Sequence, residues 1–174
     1  MKSKIIIITF VFISLLFWGC SSQLCLQKRT NRLIVNSHKE TDTVYLYSAA
    51  FNDFNLVWYY KDNFIYSFWV KPHSTKKHNP IELKNITVNN DSINKYFNNF
   101  LFKDIQCFES MLDGTWIKIY IENKEPLFSS LDIDCLFRNK YPINSFPYQL
   151  QYYFSKIWGT KYLDFKKLYP NNNE

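Results

Sequence analysis

Small residues are scarce in this chain of 174, which has three glycines and two alanines, Ala49 and Ala50. Three glycines can hardly build a phosphate cradle, and no P-loop, GxGxxG, GxSxG or HExxH pattern occurs. With only six prolines as well, the chain is neither collagen-like nor a Gly/Pro-rich linker protein. Histidine is limited to His38, His73 and His78, none of them in a segment patterned as core. A Ser-His-Asp or Cys-His nucleophilic site would have to recruit one of these. His73 and His78 bracket Ser74–Lys77 after Pro72 with no third ligand, which reads as a solvated loop rather than a metal site. There is no CxxC and no Cys/His metal spacing, so neither a metal nor a cofactor is expected.

What the chain has in quantity is apolar and aromatic residues: 47% hydrophobic, with Phe 16, Tyr 13 and Trp 5. That content excludes a disordered chain, and the length suits one domain with appendages. Eighteen asparagines and a heavy excess of lysine over arginine accompany the Phe and Tyr, and all of these are encoded by A/T-rich codons. A low-GC genome therefore accounts for most of the aromatic excess and part of the net charge of +6. The basic charge is accordingly not read as a nucleic-acid footprint, and no nucleic-acid partner is expected.

The amino terminus carries the most specific signal. Met1-Lys2-Ser3-Lys4 precedes an uncharged apolar run from Ile5 to Gly19, shorter than the roughly 20 residues of a spanning helix. It ends in Leu16-Phe17-Trp18-Gly19-Cys20-Ser21-Ser22. This resembles the lipobox of bacterial lipoproteins, with Gly19 and Cys20 matching and Phe17 and Trp18 standing where the family prefers aliphatic or small residues. The resemblance implies a signal peptide over 1–19 and a fatty-acylated Cys20, carrying chains such as palmitate, that holds the protein to a membrane. Ser21 after the cysteine implies the periplasmic face of the outer membrane within the cell envelope. Residues 20–41 then read as the lipidated cysteine and a polar tether, 42–170 as one globular domain and 171–174 as a polar tail. Lys28, Arg29 and Arg32 in the tether either stay solvated, the preferred reading, or sit against anionic headgroups.

With Cys20 acylated, Cys25, Cys107 and Cys135 remain. Cys107 and Cys135 lie in the domain and are the expected pair, a loop closure worth roughly 3–4 kcal/mol on the entropic account. Cys25 is left free or pairs between molecules.

Within the domain, Asp42–Ser48 alternates as a strand, and Leu56–Lys61 and Phe64–Val70 flank Asp62-Asn63 as a tight hairpin. The hairpin strands are apolar on both faces, as in the middle of a covered sheet. Ile81–Val88 reads as a fourth strand. Asp91 reads as the cap of a helix with Ile93, Tyr96, Phe97, Phe100 and Leu101 on one face. Two alternating runs, Thr115–Glu122 and Ser130–Phe137, predict a second hairpin with one dry and one wet face. A helix from Pro147 to just before Gly159 presents Leu150, Tyr153, Phe154, Ile157 and Trp158, and a short tail helix covers Lys161–Leu168. The fold class is α+β: a mainly antiparallel sheet of two hairpins plus further strands, covered by two or three amphipathic helices.

Two constellations bear on function. Asp132 and Asp134 would share a strand face near Asp113, as a carboxylate pair for acid/base or metal chemistry, although a solvated face opposite Lys118 explains them more simply. Trp116, Lys118 and Tyr120 lie on the face expected to be wet, where aromatics two residues apart can stack on a sugar or anchor a protein. Cover by a C-terminal helix is the alternative. The leading expectation is a membrane-anchored, non-enzymatic periplasmic domain that binds or scaffolds an unknown protein or glycan. An envelope glycan-processing enzyme using Asp132 and Asp134, and a toxin-immunity lipoprotein, are the other readings.

Overall fold

Strands β1 (Thr43–Ala49) and β2 (Asn55–Lys61) set the architecture, because their first five residues are all buried, those pointing up and those pointing down alike. In the computed structural model, residues 22–49, 53–83, 115–143 and 145–170 are described. They hold five further strands: β3 (Phe64–Val70), β4 (Thr75–Lys77), β5 (Ile81–Glu82), β6 (Thr115–Ile121) and β7 (Leu127–Ser130). The sheet runs β4-β3-β2-β1-β6-β7, with β5 pairing β3 near its start, and every pairing is antiparallel. The helices are α1 over residues 22–37, α2 (Ile133–Leu136), α3 (Phe146–Ile157) and α4 (Gly159–Leu168). The class is α+β, as expected.

The β2–β3 hairpin forms where Asp62 and Asn63 take φ of 50° and 63°, the positive pair that matches a two-residue turn to the twist of its strands. The register follows, with Lys61 opposite Phe64 and Trp58 opposite Ser67. On one face this aligns Tyr45, Trp58 and Ser67 across three strands. Helix α3 lies against them. Trp58 stacks on Tyr45 at 5.3 Å and on Tyr153 of α3 at 4.4 Å between centroids, while Tyr47 meets Phe154 edge-on at 5.4 Å. Ser145 caps α3 by accepting from the Tyr148 amide, and Pro147 follows within the first turn, where its missing N–H is harmless.

Buried Gln151 ties α3 to its neighbours. Its Nε2 donates to the carbonyls of Leu136 (2.7 Å) and Asn139 (2.8 Å), and its Oε1 accepts from the Tyr169 hydroxyl at 2.8 Å. That hydroxyl in turn accepts from the Tyr141 amide. One glutamine thus joins the turn after α2 to the end of α4.

The opposite face is covered by α1. Leu26 and Ile34 are buried against Val44, Leu46, Val57 and Val70, with Leu33, Phe68 and Tyr120 at the margin. Thr30 sits between them, its hydroxyl donating to the Leu26 carbonyl and accepting from Asn55 of β2, both at 2.9 Å. This corrects the polar tether expected over 20–41. Leu26, Thr30, Leu33, Ile34 and Ser37 recur at helical spacing, a stripe sparse enough to pass as a solvated linker.

Two strands also differ from expectation. The run Ser130–Phe137 is not one strand: β7 stops at Ser130 and α2 begins, because the Asp132 carboxylate accepts from the Cys135 amide at 2.9 Å and caps a helical turn. The alternation of Leu131, Ile133, Cys135 and Phe137 still buries Leu131 and Phe137, which the turn brings to the same core. The strand from Ile81 is described only as the two residues of β5. The expected helix after Asp91 lies outside the described residues.

Several buried polar atoms under α3 lack a hydrogen-bond partner, among them the hydroxyls of Tyr45, Tyr60 and Tyr153. Tyr153 faces Ser67 and Tyr60 faces Trp58 without hydrogen-bonding geometry, and burial raises the pKa of all three tyrosines. Two substitutions separate packing from polarity here. Trp58→Ala removes the centre of the stack and should cost about 3–5 kcal/mol. Tyr45→Phe deletes a hydroxyl with no partner and should be neutral or stabilising by up to about 1 kcal/mol in urea unfolding.

Candidate functional site

Helix α1 has three sides, each set by spacing along residues 22–37. Leu26, Thr30 and Ile34 face the sheet. On one flank Gln23, Gln27 and Asn31 repeat at i, i+4 and i+8. On the other, Cys25, Lys28, Arg29, Arg32 and Asn36 follow the same rule. Among the described residues a groove opens along each flank, where α1 covers only the middle of the sheet.

The first groove has a volume of about 460 Å³ and lies between the amide flank and strand β6. Trp116, Lys118 and Tyr120 form its far wall, with Leu46 and Asn55 also lining it. Their positions come from register: Lys118 pairs with Leu46 on β1 and with Phe128 on β7, so it stands on the α1 side of the sheet. The Lys118 ammonium lies 5.5 Å from the Phe128 ring centre, and Trp116 tilts toward the same ring at 6.4 Å. Phe128 itself is 59% exposed. Tyr120 packs against the core beneath α1, and that burial raises its hydroxyl pKa.

The three residues singled out in the sequence are therefore together and each is half-buried. The helix beside them is α1 rather than a C-terminal one. Sequence reasoning missed the opposite wall. Its signal is the four-residue repeat of Gln23, Gln27 and Asn31, hidden inside a stretch that reads as a tether.

The second groove, about 500 Å³, lies between the basic flank of α1 and the loop joining β3 to β4. Lys28, Arg29, Arg32 and His73 line it, together with Cys25 and Thr75. Arg29 Nε donates to the Pro72 carbonyl at 2.8 Å, fastening the helix to the loop. Cys25 is a free thiol.

Other expected residues are placed apart. Asp132 caps α2 and approaches Arg138 at 4.0 Å, while Asp134 pairs with Lys161 of α4 at 2.5 Å, and that ammonium lowers its pKa. They do not share a strand face, and neither meets Lys118, which is occupied by Phe128. Asp113 lies outside the described residues. His73 and His78 fall on opposite faces: His73 lines the second groove, and the His78 ring lies 5.7 Å from Trp69 on the α3 side. Burial, and then Lys76, lowers the His78 pKa. Cys135 is disulfide-bonded, and both Cys107 and Cys20 lie outside the described residues.

Among the described residues, no group of three or more His, Cys, Asp or Glu is placed to hold a metal ion. Nor, among them, is any helix long and apolar enough to cross a membrane. Compared with family models, curated proteins and solved structures, the chain matches none. The geometry of its grooves therefore carries the functional argument.

A cap tolerates Asn as well as Asp, whereas a catalytic carboxylate does not. Asp132→Asn should leave the unfolding midpoint nearly unchanged, and Asp132→Ala should cost about 1 kcal/mol.

Proposed function

We propose that the chain is a cell-envelope protein held to the membrane through lipid on Cys20, whose domain binds a partner rather than catalysing a reaction. The observation that carries the binding part is the first groove, where Trp116, Lys118 and Tyr120 face Gln23, Gln27 and Asn31. Aromatic faces beside amides and a single ammonium suit a partner rich in hydroxyl or carbonyl groups, such as a glycan chain or a polar protein segment.

The anchor rests on the resemblance of Leu16–Cys20 to a lipobox, and the periplasmic face of the outer membrane on Ser21. With Cys20 acylated, Cys107 is the remaining partner for the disulfide of Cys135. Asp132 and Asp134 are engaged in a helix cap and an ion pair, which lends less support to a glycan-processing enzyme built on them.

One experiment in cells addresses both parts. A photo-crosslinking residue at position 120 should give a discrete adduct in the membrane fraction, reduced severalfold by Trp116→Ala, while Cys20→Ala should abolish fatty-acid labelling. An adduct indifferent to Trp116 would overturn the groove, and continued labelling of the Cys20 variant would overturn the anchor.

A further inference from the structure

The second groove gathers three basic side chains of α1 along one wall. Lys28 and Arg32 stand one turn apart on α1, with Arg29 between them and His73 across the gap. Among the described residues none of the three cations has a carboxylate partner; the ion pairs between described residues are those of Lys61, Arg138, Lys161 and Lys167. Three cations converging on one cleft repel one another, and that repulsion is relieved by an anion. Arg29 is held by its Nε bond to the Pro72 carbonyl, which leaves the other donors of its guanidinium to serve a ligand. Arginine forks match phosphate oxygens two at a time, and a neighbouring lysine adds a point charge. Lys77 stands on the same sheet face, over the Tyr66 ring, and extends the positive field beyond the groove.

Location decides the source of the phosphate. Lys28 follows Cys20 by eight residues, a contour of at most about 28 Å, and Arg32 by twelve. Acylation of Cys20 would hold these cations within reach of the bilayer surface, where each basic residue gains from the negative potential of anionic headgroups. We infer that the groove formed by Lys28, Arg29, Arg32 and His73 binds the phosphate of an anionic lipid headgroup and so docks the domain on its own membrane with the basic flank of α1 toward the bilayer. The inference rests on the anchoring proposed above. It assigns separate tasks to the two flanks of α1, the basic flank holding the membrane and the amide flank facing a partner.

The test uses the full-length chain with phosphatidylcholine vesicles carrying a headgroup-photoactivatable phosphatidylglycerol. Lipid adducts should map to peptides spanning residues 25–36 and His73, and the combined Lys28→Gln, Arg29→Gln, Arg32→Gln variant should lose them at least fivefold. Matching thermal unfolding curves establish that the variant is folded, as expected for exposed side chains. Adducts of equal yield in both proteins would overturn the inference. So would displacement of the adduct by inorganic phosphate but not by chloride of equal ionic strength, since the site would then serve a soluble phosphate. Acylation is read separately, from the mass of the amino-terminal peptide. An unacylated chain that still crosslinks through the groove overturns the anchor and sustains the headgroup site, and an acylated chain whose adducts ignore the triple substitution does the reverse.

Discussion

A sheet whose central strands are apolar on both faces has to be covered twice, and this chain meets that requirement unequally. On one face, α3 and α4 lay Phe146, Leu150, Tyr153, Phe154 and Phe165 over a continuous aromatic layer. On the other, α1 is the element among the described residues that shields Val44, Leu46, Val57 and Val70. Burying a Leu or Ile side chain is worth roughly 1.5–3 kcal/mol, so Leu26 and Ile34 supply enough to hold the helix, with Thr30 bonded to Asn55 fixing its position. Among the described residues nothing else covers the middle of this face.

The grooves follow from this asymmetry. A helix with its side chains is about 10–12 Å wide, whereas six strands at about 4.8 Å spacing span roughly 24 Å. Among the described residues one helix on this face thus leaves a channel on each side, and α1 presents a different chemistry to each: amides toward Trp116, Lys118 and Tyr120, cations toward the loop of His73. The two-face burial of β1 and β2 and the existence of both candidate sites thus have one cause.

Much of the framework is legible in the sequence where a single signal dominates. Asp62-Asn63 between two apolar runs can only be a tight turn, and Pro147 before a five-residue stripe marks α3. The double-sided burial of β2 is readable too, whereas the more exposed β3 and the helix covering the second face are not, because α1 carries few aliphatic residues among many polar ones. Elsewhere two local rules compete. Leu131 to Phe137 alternates like a strand, yet one capping carboxylate at Asp132 outweighs the alternation over so short a segment. The same shift dispersed Asp132 and Asp134 from the shared face expected of them. Trp116, Lys118 and Tyr120 were found because they depend only on strand periodicity, whereas their opposite wall depends on recognising α1.

The account stands or falls on α1 as the second cover, and native-state hydrogen exchange measures that directly. Amides of Leu26, Thr30 and Ile34 should exchange about a hundredfold or more slower than in an unstructured peptide, approaching those of Tyr45 and Trp58. Exchange of the α1 amides at unstructured rates, with β1 and β2 still protected, would contradict it and leave both grooves without a wall.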